Sequence, residues 1–223
     1  MLPLGDLAAY VEFSPKLDLE VNAFVQRLAF AVQAQAAPWL RDVVPALGGL
    51  ALHFDPAFDG DTSQAALELV ERCLKEGLPA SEALGRRVEV PVCYEGDLAP
   101  DIEEIAAKLK LAPEELARRH AATEYRVLMI GFAPGHAYMG GLDAKLAVPR
   151  RATPRPEVPS GSVAIANEQT VVYPYAISGG WNVIGRTPLV VFDAFRPRPS
   201  LFMMGDRVRF VPITRAQFMS MVR

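Results

Sequence analysis

Apolar and polar residues alternate from Leu7 to Phe13, the two-residue period of a half-buried strand, and the spacing then lengthens to the helical period. Asp18 or Asn22 caps the predicted helix, and Val21, Phe24, Val25, Leu28 and Val32 fall on one of its faces. A second strand is predicted over Leu47 to Phe54, ending at the turn Asp55-Pro56. The next helix spans Ser63 to Leu74, with Leu67, Val70 and Leu74 as its apolar stripe and Gly77 as its stop. Together these segments predict a β-α-β-α unit.

The run RVEVPVCY, Arg87 to Tyr94, again has strand periodicity, but Pro91 lacks a backbone N–H, which places the strand at an edge or at a crossing between domains. The domain boundary is therefore expected just before it, with one domain over residues 1–85 and a second over 86–223. Two short helices follow, PDIEEIAAKLKL and PEELARRHAA, with Pro100 and Pro113 in their first turns and acids behind them. Beyond Glu124 the chain turns to short Val-, Ile- and Phe-rich runs broken by Gly and Pro: YRVLMIGF, GSVAIA, QTVVYPY, PLVVFD and DRVRFVPI. That rhythm predicts a closed or nearly closed β-barrel, and a helix over Thr214 to Met221 ends the chain. The expected fold class is α+β, a small N-terminal α/β domain followed by a β-barrel domain.

Composition narrows the function. With 51% hydrophobic residues in 223, the chain can bury a core in each of two domains. A net charge of -3 and scattered Lys and Arg residues point away from nucleic acid. The segment IAAKLKLAPEELARRH has helix-turn-helix spacing, yet the proline in its turn and the acids in its second helix argue against DNA binding. Cys73 and Cys93 have no C-x-x-C context and read as buried thiols in a reducing compartment. The N-terminal MLPLGDLAAYVEF lacks a basic n-region, and no apolar run reaches about 18 residues, so no membrane span and a cytoplasmic location are expected.

No phosphate-binding loop, dinucleotide fingerprint, nucleophile elbow or H-E-x-x-H metal motif is present, so ATP or a metal, if used, belongs to another subunit. Candidate chemistry gathers in three clusters. In GFAPGHAYMGGLD, Gly131 to Asp143, glycines allow close approach of a ligand or chain, and His136 and Tyr138 can exchange protons, although composition alone favours a glycine-rich barrel corner with exposed rings. In PRRATPRPEVPSGS, Pro149 to Ser162, prolines stiffen a loop whose Arg150, Arg151 and Arg155 either bind a carboxylate or phosphate or pair with surface acids. In SGGWNVIGRTP, Ser178 to Pro188, Trp181 is a plug or a ligand platform, and Arg186 binds an anion or pins the loop. His120, at a helix end, reads as structural.

In this order the clusters resemble the family of allophanate hydrolase subunit 1, the B-subunit of 5-oxoprolinase and the histidine kinase inhibitor KipI. The resemblance is carried by Glu12 and Phe13, VPVCY, His120 with Tyr125, Gly131 to Gly135, Pro149 to Ser162, and Gly179 to Pro188. It implies an α/β domain followed by a cyclophilin-like barrel. It further implies a chain that works with a second barrel subunit (subunit 2, or the C-subunit), and in 5-oxoprolinase also with an A-subunit, ATP driving the opening of a cyclic amide to glutamate. The alternatives it carries are an inhibitor docked on a sensor histidine kinase and a carboxyltransferase half, for which biotin would arrive on a partner.

Under the resemblance the catalytic candidates are His120, Tyr138, Arg150, Arg155 and Arg186. The substrate or interface candidates are Gly131, Phe132, Pro134, Gly135, His136, Arg151, Gly161, Ser162, Gln169, Gly179, Gly180 and Trp181. The arginines would hold an anionic substrate or phosphate, and Tyr138 and His120 would orient it. The chain departs from the family pattern at His136, where an aromatic is usual, at Ala164, Asn167 and Val171, where glycines are usual, and at Pro45, Leu47 and Gly49. The side chains added at Ala164, Asn167 and Val171 would narrow a pocket or abolish it.

Overall fold

The computed structural model describes residues 1–80 and 85–222, and the chain divides into two compact units, Met1–Leu84 and Gly85–Arg223. The first is built on an antiparallel sheet of β1 (Leu2–Pro3), β2 (Ala8–Glu12), β3 (Leu40–Pro45) and β4 (Gly49–Phe54), in the order β1-β2-β4-β3. Helix α1 (Leu19–Ala34) starts where the Asp18 carboxylate accepts the N–H groups of Glu20 and Val21, and it buries Val25, Leu28 and Val32 with Leu50, Leu52 and Phe54 of β4. Because a short β1 precedes β2 and α1 leads into the β3-β4 hairpin, the order is β-β-α-β-β-α and not the expected β-α-β-α. The unanticipated β3 has a register shift between Leu40 and Asp42, which breaks the alternation that would have revealed it.

Helix α2 (Thr62–Glu76) stops at Gly77, whose φ of 92° suits glycine. Its buried stripe is Ala66, Leu69, Val70 and Cys73, while Leu67 and Leu74 of the expected stripe are about 40% exposed (42% and 41%). Small residues at Ala66 and Cys73 let the helix lie close on the sheet, and hydrophobicity alone pointed one position away.

In the second unit seven strands form one sheet in the order β12-β9-β10-β7-β6-β13-β5. These are β5 (Arg87–Val92), β6 (Glu124–Ile130), β7 (Ala137–Gly140), β9 (Ser162–Ala166), β10 (Gln169–Val172), β12 (Asn182–Arg186) and β13 (Arg207–Pro212). The end strands meet just beyond β5, where Cys93 and Arg186 exchange both backbone hydrogen bonds at 2.9 Å, so the sheet curls into a nearly closed barrel. Pro91 lies in β5, the end strand whose one full partner is the parallel β13, in keeping with its missing donor. Strands β8 (Arg155–Val158) and β11 (Ile177–Gly179) pair separately. Tyr125, Met139, Phe202 and Phe210 are among the barrel's core.

Helices α3 (Ile102–Leu109), α4 (Pro113–Ala122) and α5 (Arg215–Met221) complete the unit, the last opened by a capping box of Thr214 and Gln217. Pro113 holds the expected first-turn position, but Pro100 precedes the cap residue Asp101, whose side chain does not cap the helix. The run PLVVFD yields only an isolated bridge between Phe192 and Ser200, since Pro188, Pro197 and Pro199 remove the donors a longer ladder needs. Asn167 takes a left-handed φ of 52° in the two-residue turn between β9 and β10, a conformation open to asparagine as well as glycine.

Candidate functional site

The three motif clusters converge on one face of the barrel unit. The loop after β6 turns tightly: the His136 N–H donates to the Ala133 carbonyl at 3.0 Å and the Gly131 N–H donates to the His136 carbonyl at 3.1 Å. Phe132 is held at a φ of 72° with its ring 67% exposed, strained backbone of the kind that persists where the surroundings impose it. From this loop, the Arg150 loop and the β11-β12 turn comes a cleft of about 230 Å³. Its lining includes Phe132, His136, Tyr138, Arg150, Tyr173 and Trp181, with Pro154, Ser178, Gly179 and Gly180 at its rim. Gly179 admits no side chain, because an added Cβ would lie 2.2 Å from the Tyr173 hydroxyl.

The cleft is a nest of rings. His136 lies 4.9 Å from Tyr138 and 5.4 Å from each of Phe132 and Tyr173, and Tyr138 meets Trp181 edge-on at 5.9 Å. His136 is only 2% exposed, and its Nδ1 is buried without a hydrogen-bond partner. Burial drives its pKa down to about 4, against a smaller upward pull from its own backbone, so it is neutral at pH 7. Burial raises the Tyr138 pKa and the nearby Arg150 charge pulls it back. Ala164 and Val171, where the family pattern has glycine, are fully buried beneath this floor with Tyr173 and Trp181 and do not line the cleft.

The four candidate arginines separate by what they hold. Arg151 donates to Asp101 at 2.9 Å, and Arg155 donates to both oxygens of the same carboxylate at 2.9 and 2.6 Å. Asp101 also accepts the Val183 N–H at 2.7 Å, so this 2% exposed residue ties the start of α3 to β8, β12 and the proline-rich loop. Sequence reading passed over Asp101 because it stands among the acids behind Pro100, where acids are common in a first helical turn. Arg186 donates from Nε to the Ser160 carbonyl at 2.8 Å while its backbone closes the barrel, which is the pinning role. Gly161 packs below it, where an added Cβ would be 2.4 Å from the Thr187 carbonyl. Arg150 differs: among the described residues it joins no ion pair, and its guanidinium lies 5.6 Å over the Trp181 ring. It also borders a second recess of about 500 Å³, whose other charges, Glu104 with Lys108 and Arg151 with Asp101, are already paired.

His120 does not join the cleft. Fully enclosed in the barrel, it stacks on Phe210 at 4.7 Å, with its Nδ1 2.8 Å from the Tyr94 hydroxyl and its Nε2 3.0 Å from Thr170 Oγ1. Thr170 donates its own proton to the Ala164 carbonyl, which leaves it to accept from Nε2–H, so Nδ1 accepts from Tyr94. Burial lowers the His120 pKa to about 3. The chain Tyr94 to His120 to Thr170 is a neutral, satisfied network that locks strand to helix. Gln169 and Ser162 take places in the barrel wall on β10 and β9, and Pro134 and Gly135 in the loop after β6.

Residues 1–202 match the family described as carboxyltransferase domain, subdomain C and D. The chain belongs to this family. Among curated members it is 38% identical over 223 residues to the 5-oxoprolinase B-subunit of Bacillus subtilis (strain 168), covering 96% of this chain and 93% of that one. It is 37% identical over 212 residues to the 5-oxoprolinase B-subunit of Escherichia coli O157:H7, covering 94% of each. Among solved structures, TTHA0988 superposes with a TM-score of 0.80 at 36% identity over 92% of this chain, which spans only 39% of that protein's length. The urea amidolyase of Kluyveromyces lactis shares the fold, with a TM-score of 0.75 at 18% identity over 96% of this chain and 15% of its own. Among the described residues no helix is long and apolar enough to cross a membrane, and no group of His, Cys, Asp or Glu is arranged to hold a metal.

Proposed function

We propose that the protein is the B-subunit of an ATP-dependent 5-oxoprolinase, inactive alone and completed by two partners, a second barrel subunit (the C-subunit) with an A-subunit. The observation that carries this reading is the near end-to-end match to the 5-oxoprolinase B-subunits, joined to a cleft that keeps one unpaired guanidinium among flat aromatic walls. A cyclic amide with a carboxylate needs a cation for the carboxylate and flat surfaces for the ring. Arg150 fills the first role and Trp181 and Tyr138 the second.

Opening the lactam places negative charge on the amide oxygen, and donors aimed at that charge accelerate the step. Tyr138 is such a donor, its raised pKa keeping the phenol protonated. Arg151 and Arg155 act at one remove, holding through Asp101 the loop that carries Arg150, while Arg186 holds the following loop at Ser160 and His120 holds the barrel beneath. This chain has no nucleotide-binding loop, so ATP is bound by, or together with, a partner. That TTHA0988 carries more than this fold in one chain fits a barrel that works beside another module.

The test is a pull-down of the tagged protein from its native extract, followed by assay of the recovered complex. Recovery of a second barrel subunit together with ATP-dependent glutamate release from 5-oxoproline is expected. Recovery of a histidine kinase without that activity would overturn the reading.

A further inference from the structure

We propose that His136 reads the ring amide of a small cyclic carboxylate bound in the aromatic cleft and so decides which carboxylates the protein accepts, which rests on the 5-oxoprolinase reading for the ligand's class. Three observations lead there. First, His136 lines the cleft yet its Nδ1 is buried with no partner, in a protein whose other enclosed histidine, His120, has both ring nitrogens bonded. Buried polar atoms are nearly always satisfied, and an orphan in a side chain that lines a cleft is a group a ligand can satisfy once the ring turns it outward. A half-turn of the ring about χ2 exchanges the sides on which its two nitrogens lie.

Second, the other polar equipment is arranged for a monoanion. Arg150 is the cleft's unpaired cation, resting over Trp181, and His136 is neutral, offering one donor and one acceptor and no second positive charge. An amide, which also carries one donor and one acceptor, matches that imidazole. A second carboxylate, as in open-chain glutamate, would meet no second cation there.

Third, the size is right for one ring. About 230 Å³ falls below the roughly 300–1,000 Å³ of pockets that hold drug-sized ligands. The walls are flat on the Trp181 and Tyr138 sides, and at Gly179 the Tyr173 hydroxyl leaves no room for a side chain.

The experiment titrates the isolated full chain at pH 7.5 with 5-oxoproline, cyclopentanecarboxylate, which has the ring and carboxylate but no amide, and glutamate. Trp181 emission reports binding, with Trp39 of the other unit as the second emitter, and the ¹⁵N signals of His136 report the amide contact directly. Expected is about tenfold tighter binding of 5-oxoproline than of either other probe, with His136 signals moving for 5-oxoproline and not for cyclopentanecarboxylate. His136→Phe removes the preference by weakening 5-oxoproline alone, and His136→Gln, which keeps a donor and an acceptor, retains most of it. Should His136→Phe keep the tenfold preference, or the wild-type imidazole stay silent, His136 does not read the amide, and the 5-oxoprolinase reading is untouched. Equal binding of 5-oxoproline and cyclopentanecarboxylate, or binding of none of the probes, also defeats the inference. The reading itself fails only if the assembled complex releases no glutamate.

Discussion

Asp101 accepts from Arg151, Arg155 and the Val183 N–H while almost wholly enclosed, so its removal strands two guanidinium groups and a backbone donor together. Asp101→Ala is predicted to destabilise the protein by about 3 kcal/mol, and Asp101→Asn by less, because the amide oxygen still serves Val183; urea denaturation measures both. Arg150 has no such partner among the described residues, and Arg150→Ala is predicted to leave stability within about 0.5 kcal/mol while weakening carboxylate binding at least tenfold. The two buried histidines set an acid limit. Their folded pKa values, about 3 for His120 and about 4 for His136, lie below the unfolded value of about 6.5, so as pH falls below 6.5 the unfolded chain takes up protons that the fold refuses. Stability therefore falls toward acid, by about 1.4 kcal/mol per pH unit for each histidine near pH 5, and this contribution levels off below about 3. His136→Phe should remove about half of that slope, which denaturation midpoints between pH 4.5 and 7 will show.

Among the elements, those with an unbroken period were legible in the sequence. The alternation of Ala8–Glu12, the apolar face of α1 and the Val-rich barrel strands β6, β9, β10 and β13 all stand where the pattern placed them. The rest was hidden for particular reasons. Strand β3 carries a register shift, β7, β8, β11 and β12 lie inside the glycine- and proline-rich clusters that read as loops, and α2 turns its small residues inward. That last point is testable: Leu69→Ala should cost about 2–5 kcal/mol, whereas Leu67→Ala should cost less than about 0.5 kcal/mol, by the same denaturation assay. The reverse ranking would mean that the helix is rotated by one position.

For the whole molecule, the motif clusters told which loops come together around one cleft and not which of their residues are already paired. Spacing gave Arg150, Arg151, Arg155 and Arg186 equal standing. Only the fold reveals that Asp101 and Ser160 occupy three of them and that Arg150 joins no ion pair among the described residues. The same holds for the histidines, since His120 is spent inside the barrel and His136 lines the cleft with its Nδ1 buried and unpaired. On the proposed reading, the cleft's one arginine and neutral donors hold a small cyclic carboxylate, and a partner supplies what energises its opening. The most direct test mixes this chain with its two expected partners, a second barrel subunit plus an A-subunit, and measures ATP-dependent glutamate release from 5-oxoproline, with the Bacillus subtilis B-subunit in parallel. Release by the complete mixture, and none by this chain alone, is the predicted result. An inactive mixture, when the same partners are active with the Bacillus subtilis protein, would contradict the account.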